Sequence, residues 1–161
     1  MDWAERTSKL SHARRLQVGA IIVKNDSVIS YGYNGMPAGW DNDCENKEWC
    51  SAGGWLSPEE IEDGWPYEGT YLDMHGNEMQ GRYSLKTKPE VLHAESNAIA
   101  KLAKSTNSGL GSTMFVTHAP CMECAKRIYQ SGIGHVLYRN AYRDAGGVTF
   151  LEKSSVKVEQ I

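Results

Sequence analysis

Two short segments constrain this chain more than anything else in it. They are His93-Ala94-Glu95 and Pro120-Cys121-Met122-Glu123-Cys124, each standing where a helical pattern begins, with a strand pattern between them. The spacing of Cys121 and Cys124 can place two sulfurs on one side of a first helical turn, where one ion can bind both. Helix N-termini carry partial positive charge, which favours the thiolate form that a metal needs. One imidazole and two thiolates make three ligands, and three protein ligands with a fourth position open is the arrangement of a catalytic zinc. Glu95, two residues beyond His93, is placed to reach water in that fourth position without binding the metal itself. Two other readings stay open on spacing alone. A closed structural site would take a fourth ligand from His118, Cys44 or Cys50, and a redox pair would use the sulfurs only, leaving His93 and Glu95 unexplained.

Around these segments the chain reads as alternating helix and strand. Asp2 to His12 predicts a helix with Trp3, Thr7 and Leu10 on a shared face. Val18 to Lys24 and Val28 to Tyr33, rich in β-branched residues and separated by Asn25-Asp26, predict a hairpin. Gly32-Tyr33-Asn34-Gly35-Met36-Pro37 then breaks the strand into a loop. Ala94 to Lys104 predicts a helix with an apolar face of Ala94, Ala98 and Leu102, joined by Ile99. A strand over 113–117, a helix over 122–130, a strand over 136–139, a short helix over 148–153 and a strand over 156–159 follow. This succession gives one α/β domain over residues 1–161, in three α/β/α layers, with about five strands in a mixed sheet and helices on both faces. Residues 41–89, rich in tryptophan, glycine and acids with no clean period, are expected to form an irregular insertion.

Composition narrows the function. A chain of 161 residues suits a single core. No apolar run approaches the ~20 residues needed to span a bilayer, and Met1 to Arg15 mixes acids and bases without the apolar stretch of a secretion signal. A cytoplasmic location is expected, where the four cysteines stay reduced. With a net charge of −3 and scattered basic residues, the chain lacks the basic stripe of a protein that grips a nucleic-acid polymer, while a single nucleotide remains within reach.

The order H-x-E…P-C-x-x-C is the signature of zinc-dependent nucleobase deaminases. With it in view, the chain resembles the deoxycytidylate (dCMP) deaminases of the cytidine-deaminase-like superfamily, phage-encoded ones included. The resemblance runs through Val18-Gly19-Ala20, Gly32-Tyr33-Asn34-Gly35, His93-Ala94-Glu95-Ser96-Asn97-Ala98, Thr117-His118-Ala119-Pro120-Cys121 and the segment 138–143. It implies hydrolysis of dCMP to dUMP and ammonia for thymidylate synthesis, with one catalytic Zn2+ on His93, Cys121 and Cys124 and with Glu95 as the catalytic proton carrier. It also implies activation by dCTP and inhibition by dTTP, with Mg2+ accompanying the triphosphates, a homohexamer, and the host cytoplasm for a phage-encoded chain. By the same resemblance Arg15 meets the 5′-phosphate, Asn34 the sugar, and Tyr142 packs beside the base. Gly32, Tyr33, Asn34 and Gly35 are tied to effector binding, and His118 is a strand-end residue near the site. Some relatives bind a second, structural zinc in the inserted region. Cys44, Cys50 and His75 show no regular spacing and no fourth partner, so one zinc per chain is the expectation. A non-catalytic, zinc-bound nucleotide sensor is the rival from another class, and a sensor has no need of Glu95.

Overall fold

The computed structural model describes residues 1–51 and 56–161. Its elements in chain order are α1 (Asp2–Ser8), β1 (Gly19–Lys24), β2 (Ser27–Tyr33), β3 (Glu45–Trp49), α2 (Pro58–Gly64), β4 (Tyr67–Leu72), β5 (Glu78–Thr87), α3 (Ala94–Ala103), β6 (Thr113–His118), α4 (Met122–Gln130), β7 (His135–Asn140), α5 (Gly146–Lys153) and β8 (Lys157–Gln160). The chain divides into two units, Met1–Cys44 with Glu90–Ile161, and Glu45–Pro89.

The first unit is built on a five-stranded mixed sheet in the order β2-β1-β6-β7-β8. Asn25 and Asp26, with φ of 50° and 57°, make the two-residue turn that folds β2 back on β1. Two consecutive left-handed residues match the twist of the flanking strands, and asparagine and aspartate tolerate that conformation. β1 pairs antiparallel with β6, and β6, β7 and β8 run parallel, each parallel pair joined by a helix. Residues 19–22 of β1 are all buried, the mark of a strand covered on both faces. On one face the backbone of α1 at Ala4 and Ser8 lies directly against Gly19. On the other, Ala20 and Ile22 join Ala98, Val116, Ile128 and Leu151 in the main core, so α3, α4 and α5 share that side. Each fully buried aliphatic chain there contributes about 1.5–3 kcal/mol. These are the expected three layers, with every expected helix and strand of this unit present.

Two expectations are corrected. α1 ends at Ser8 rather than His12, and its buried residues are Ala4 and Ser8, while Trp3 and Leu10 are 65% and 53% exposed. The contact with Gly19 is too close for large side chains, so the small residues face inward. Residues 41–89 are not irregular: β3, β5 and β4 form an antiparallel sheet in that order, and α2 lies between β3 and β4 in the chain. α2 is closed by a capping box between Ser57 and Glu60. Along β4, intermediate and exposed positions alternate, and the rings of Tyr67, Tyr71, Tyr83 and Trp49 meet with centroids 4.8–5.4 Å apart. Aromatic pairs with that spacing supply a small sheet with a core of its own. Of this stretch, residues 52–55 lie outside the described residues.

Candidate active site

His93 and Cys121 each occupy the residue immediately before a helix, with extended backbone (φ −75°, ψ 153° and φ −70°, ψ 168°). That position favours Ser, Thr, Asp or Asn, whose side chains cap the helix for about 1 kcal/mol. Neither His93 nor Cys121 makes such a bond. Both side chains turn instead toward Cys124, in the first turn of α4, so capping is given up at the two places where three donor atoms converge.

The convergence is close. His93 Nδ1 lies 3.6 Å from Cys121 Sγ and 3.4 Å from Cys124 Sγ. Zinc–nitrogen bonds of ~2.0–2.1 Å and zinc–sulfur bonds of ~2.3 Å at a tetrahedral angle require a nitrogen–sulfur edge of about 3.6 Å. The donor set therefore fits zinc in chemistry and in spacing. Among the described residues it is the one group of His, Cys, Asp or Glu so placed, and His118 is not in it. Burial rises across the cluster, from exposed His93 through half-buried Cys121 to buried Cys124.

Its electrostatics suit a cation. The Cys121 thiol is pushed down to about 3, first by a hydrogen bond from Cys124 and then by one from His93. The Cys124 thiol is pushed up, because it holds the proton shared with Cys121 and because it is buried. His93 is raised by its bond to Cys121. One proton is thus kept between two sulfurs, and a bound dication replaces such protons. Glu95, buried at the start of α3, has its carboxyl pushed up by burial, partly offset by its own backbone N–H and by the charge of His93.

Each helix start has its own anchors. Ahead of α3, Leu92 and Gly35 exchange backbone hydrogen bonds of 2.9 and 3.1 Å, and Asn97 Nδ2 donates to Tyr33 O at 2.8 Å. A Cβ on Gly32 would fall 2.2 Å from Ala94 O, so only glycine lets α3 rest on β2 here. Ahead of α4, Ala119 N donates to Asn140 O at 2.8 Å and Asn140 Nδ2 to Thr117 O at 2.9 Å. A Cβ on Gly147 would fall 2.0 Å from Pro120 O and 2.8 Å from the Cys121 carbonyl carbon. Sequence reading assigned no role to Asn97, Asn140 or Gly147. Gly147 gave no signal as a helical glycine, because the helix expected from the sequence begins at Val148, whereas α5 begins at Gly146.

The remaining expected residues are not members of this cluster. Asn34 is buried, and its amide is engaged at both ends: Oδ1 accepts from Val18 N and Nδ2 donates to Leu16 O, both at 2.8 Å. It braces the loop that carries Arg15, which is exposed in a bend between α1 and β1. Tyr142 is exposed in the loop between β7 and α5. Cys44 lies in the first unit and is buried, whereas Cys50 and His75 lie in the second.

Comparison with known proteins gives a consistent picture. The family described as "Cytidine and deoxycytidylate deaminase zinc-binding region" matches residues 1–140. The chain is 37% identical over 138 residues to the deoxycytidylate deaminase of Enterobacteria phage T4, covering 78% of this chain and 68% of that one. It is 38% identical over 138 residues to the enzyme of the same name from Enterobacteria phage T2, covering 78% and 70%. Among solved structures it is similar to a dCMP deaminase from the cyanophage S-TIM5 in complex with dCMP and dUMP. That match has 37% identity and a TM-score of 0.74, over 99% of this chain and 92% of that chain.

Proposed function

This chain belongs to the cytidine and deoxycytidylate deaminase zinc-binding family, and from that premise we propose that it hydrolyses dCMP to dUMP and ammonia. The observation that carries the reading is the nitrogen and two sulfurs of His93, Cys121 and Cys124 converging beside the buried carboxyl of Glu95. A zinc ion held by those three ligands supplies Lewis-acid activation of water at neutral pH. Glu95 accepts the proton of that water on a carboxylate oxygen and delivers it to N3 of the cytosine ring, which makes C4 electrophilic. The water oxygen bonds to C4. Glu95, emptied by that delivery, takes the second proton from the hydroxyl now on C4 and passes it to the amino group, and the C4–N bond breaks to release ammonia as the C4 carbonyl forms. Burial, which raises the carboxyl, suits a group that must hold a proton between two transfers.

Arg15 is the phosphate contact in this reading, since a guanidinium fork matches a phosphate. Asn34 holds the Arg15 loop and has one amide hydrogen left for the sugar, and Tyr142 packs beside the base. The resemblance to deoxycytidylate deaminases extends the proposal to activation by dCTP and inhibition by dTTP, with Mg2+ accompanying the triphosphates and the loop 32–35 as part of the effector site. It further extends to a homohexamer acting in the cytoplasm, where dUMP feeds thymidylate synthesis. Among the described residues no helix is long and apolar enough to cross a membrane.

The test is ammonia release from dCMP, deoxycytidine and dCTP in parallel. Turnover of dCMP well above the other two is expected. Arg15→Ala should raise KM for dCMP far more than for deoxycytidine; equal effects would remove Arg15 from phosphate binding. Zinc-loaded protein that releases no ammonia from any of the three would favour the sensor.

A further inference from the structure

Ser96 follows Glu95 in the first turn of α3, and its hydroxyl does not cap its own helix. Its Oγ lies 3.7 Å from Cys124 Sγ, on the neighbouring helix α4, within hydrogen-bond reach of a sulfur. We propose that Ser96 is a positioning residue that donates this hydrogen bond to the Cys124 thiolate and so sets how much charge that sulfur gives to the metal. The inference rests on the reading of Cys124 as a zinc ligand.

The two sulfurs need different partners because their surroundings differ. Cys121 is half-exposed, so water can solvate its thiolate. Cys124 is 1% exposed and water cannot reach it. A buried anion without a donor is costly, and a thiolate left so would press its full electron density onto the metal and weaken its pull on water. With Cys124 deprotonated by a cation, the hydroxyl of Ser96 can only be the donor. It also ties the first turn of α3 to the first turn of α4, the two turns that carry the ligands. An aliphatic residue at position 96 would fill similar space and leave the sulfur unsolvated.

The experiment compares wild type, Ser96→Ala and Ser96→Thr, each loaded with cobalt in place of zinc, and measures zinc affinity by competition with a chelator. Expected for Ser96→Ala is a thiolate-to-cobalt charge-transfer band moved to longer wavelength, because a sulfur without its hydrogen bond is more easily oxidised. A loss of about tenfold in zinc affinity should accompany it. Ser96→Thr, which keeps the hydroxyl, should restore both. A Ser96→Ala protein with the wild-type band and affinity would overturn the proposal, and so would a Ser96→Thr protein that behaves like Ser96→Ala. Ammonia release from dCMP by the wild type reads the functional assignment separately. Failure of the wild type to take up either metal would remove the ligand assignment and Ser96 with it.

Discussion

The two helix starts that meet at the site divide its labour unequally. The start of α3 brings a nitrogen donor, His93, and the buried carboxyl of Glu95, proposed above as the proton carrier. The start of α4 brings both sulfurs. The α3 start is held from β2, through Gly32 and Tyr33, and from the loop after it, through Gly35. The α4 start is held from β7 and α5, through Asn140 and Gly147. Metal retention and turnover should therefore separate at Glu95 of α3 and fall together at the sulfurs of α4.

The largest effect is expected from Cys124→Ser. It should lose zinc and all ammonia release from dCMP together, as read by metal analysis and turnover of the purified protein. Next comes Glu95→Gln, which should keep its zinc and lose about 10²–10⁴-fold in kcat. A Glu95→Gln enzyme within tenfold of wild type would end the division of labour proposed for the two starts. Gly147→Ala and Gly32→Ala sharpen the contrast. Each must push backbone aside at a cost of about 1–3 kcal/mol in stability. Gly147→Ala should weaken zinc retention, because it displaces the residue that holds a sulfur, whereas Gly32→Ala should lower kcat more than zinc affinity. Chelator competition beside steady-state kinetics distinguishes them, and equal loss of zinc from both would erase the difference. The smallest effects are expected from Asn97→Ala and Asn140→Ala, about 1 kcal/mol each in thermal or denaturant unfolding.

How much of this was legible in the sequence follows from what each feature is made of. The hairpin and the order of helices and strands after residue 91 rest on aliphatic periodicity and on Asn25-Asp26, so they could be read directly. The three converging donors were legible as a motif, yet capping rules alone would have missed both helix starts, because His93 and Cys121 occupy positions that usually hold a cap. The second unit was missed although its signals were there. Ser57-Pro58-Glu59-Glu60 is a capping box, and Tyr67, Gly69 and Tyr71 alternate with Glu68 and Thr70 at the period of a strand. Aromatic and glycine residues carry that pattern, and a search for β-branched or aliphatic runs passes over them. The inward face of α1 was misjudged because burial there is set by a close backbone approach, which hydrophobicity does not record. Asn34 was legible as a loop residue, but its double grip on the backbone of Leu16 and Val18 depends on residues far from it in sequence.

The graded burial of the three donors gives the site a direction. A competing chelator arriving from solvent meets the imidazole first and the innermost sulfur last, so extraction should begin with rotation of the His93 ring away from the ion. The rate-limiting stage is then the release of Cys124, which has no water waiting to take the metal's place. Uptake should run the same route in reverse, with the exposed ring the first donor to meet an incoming ion.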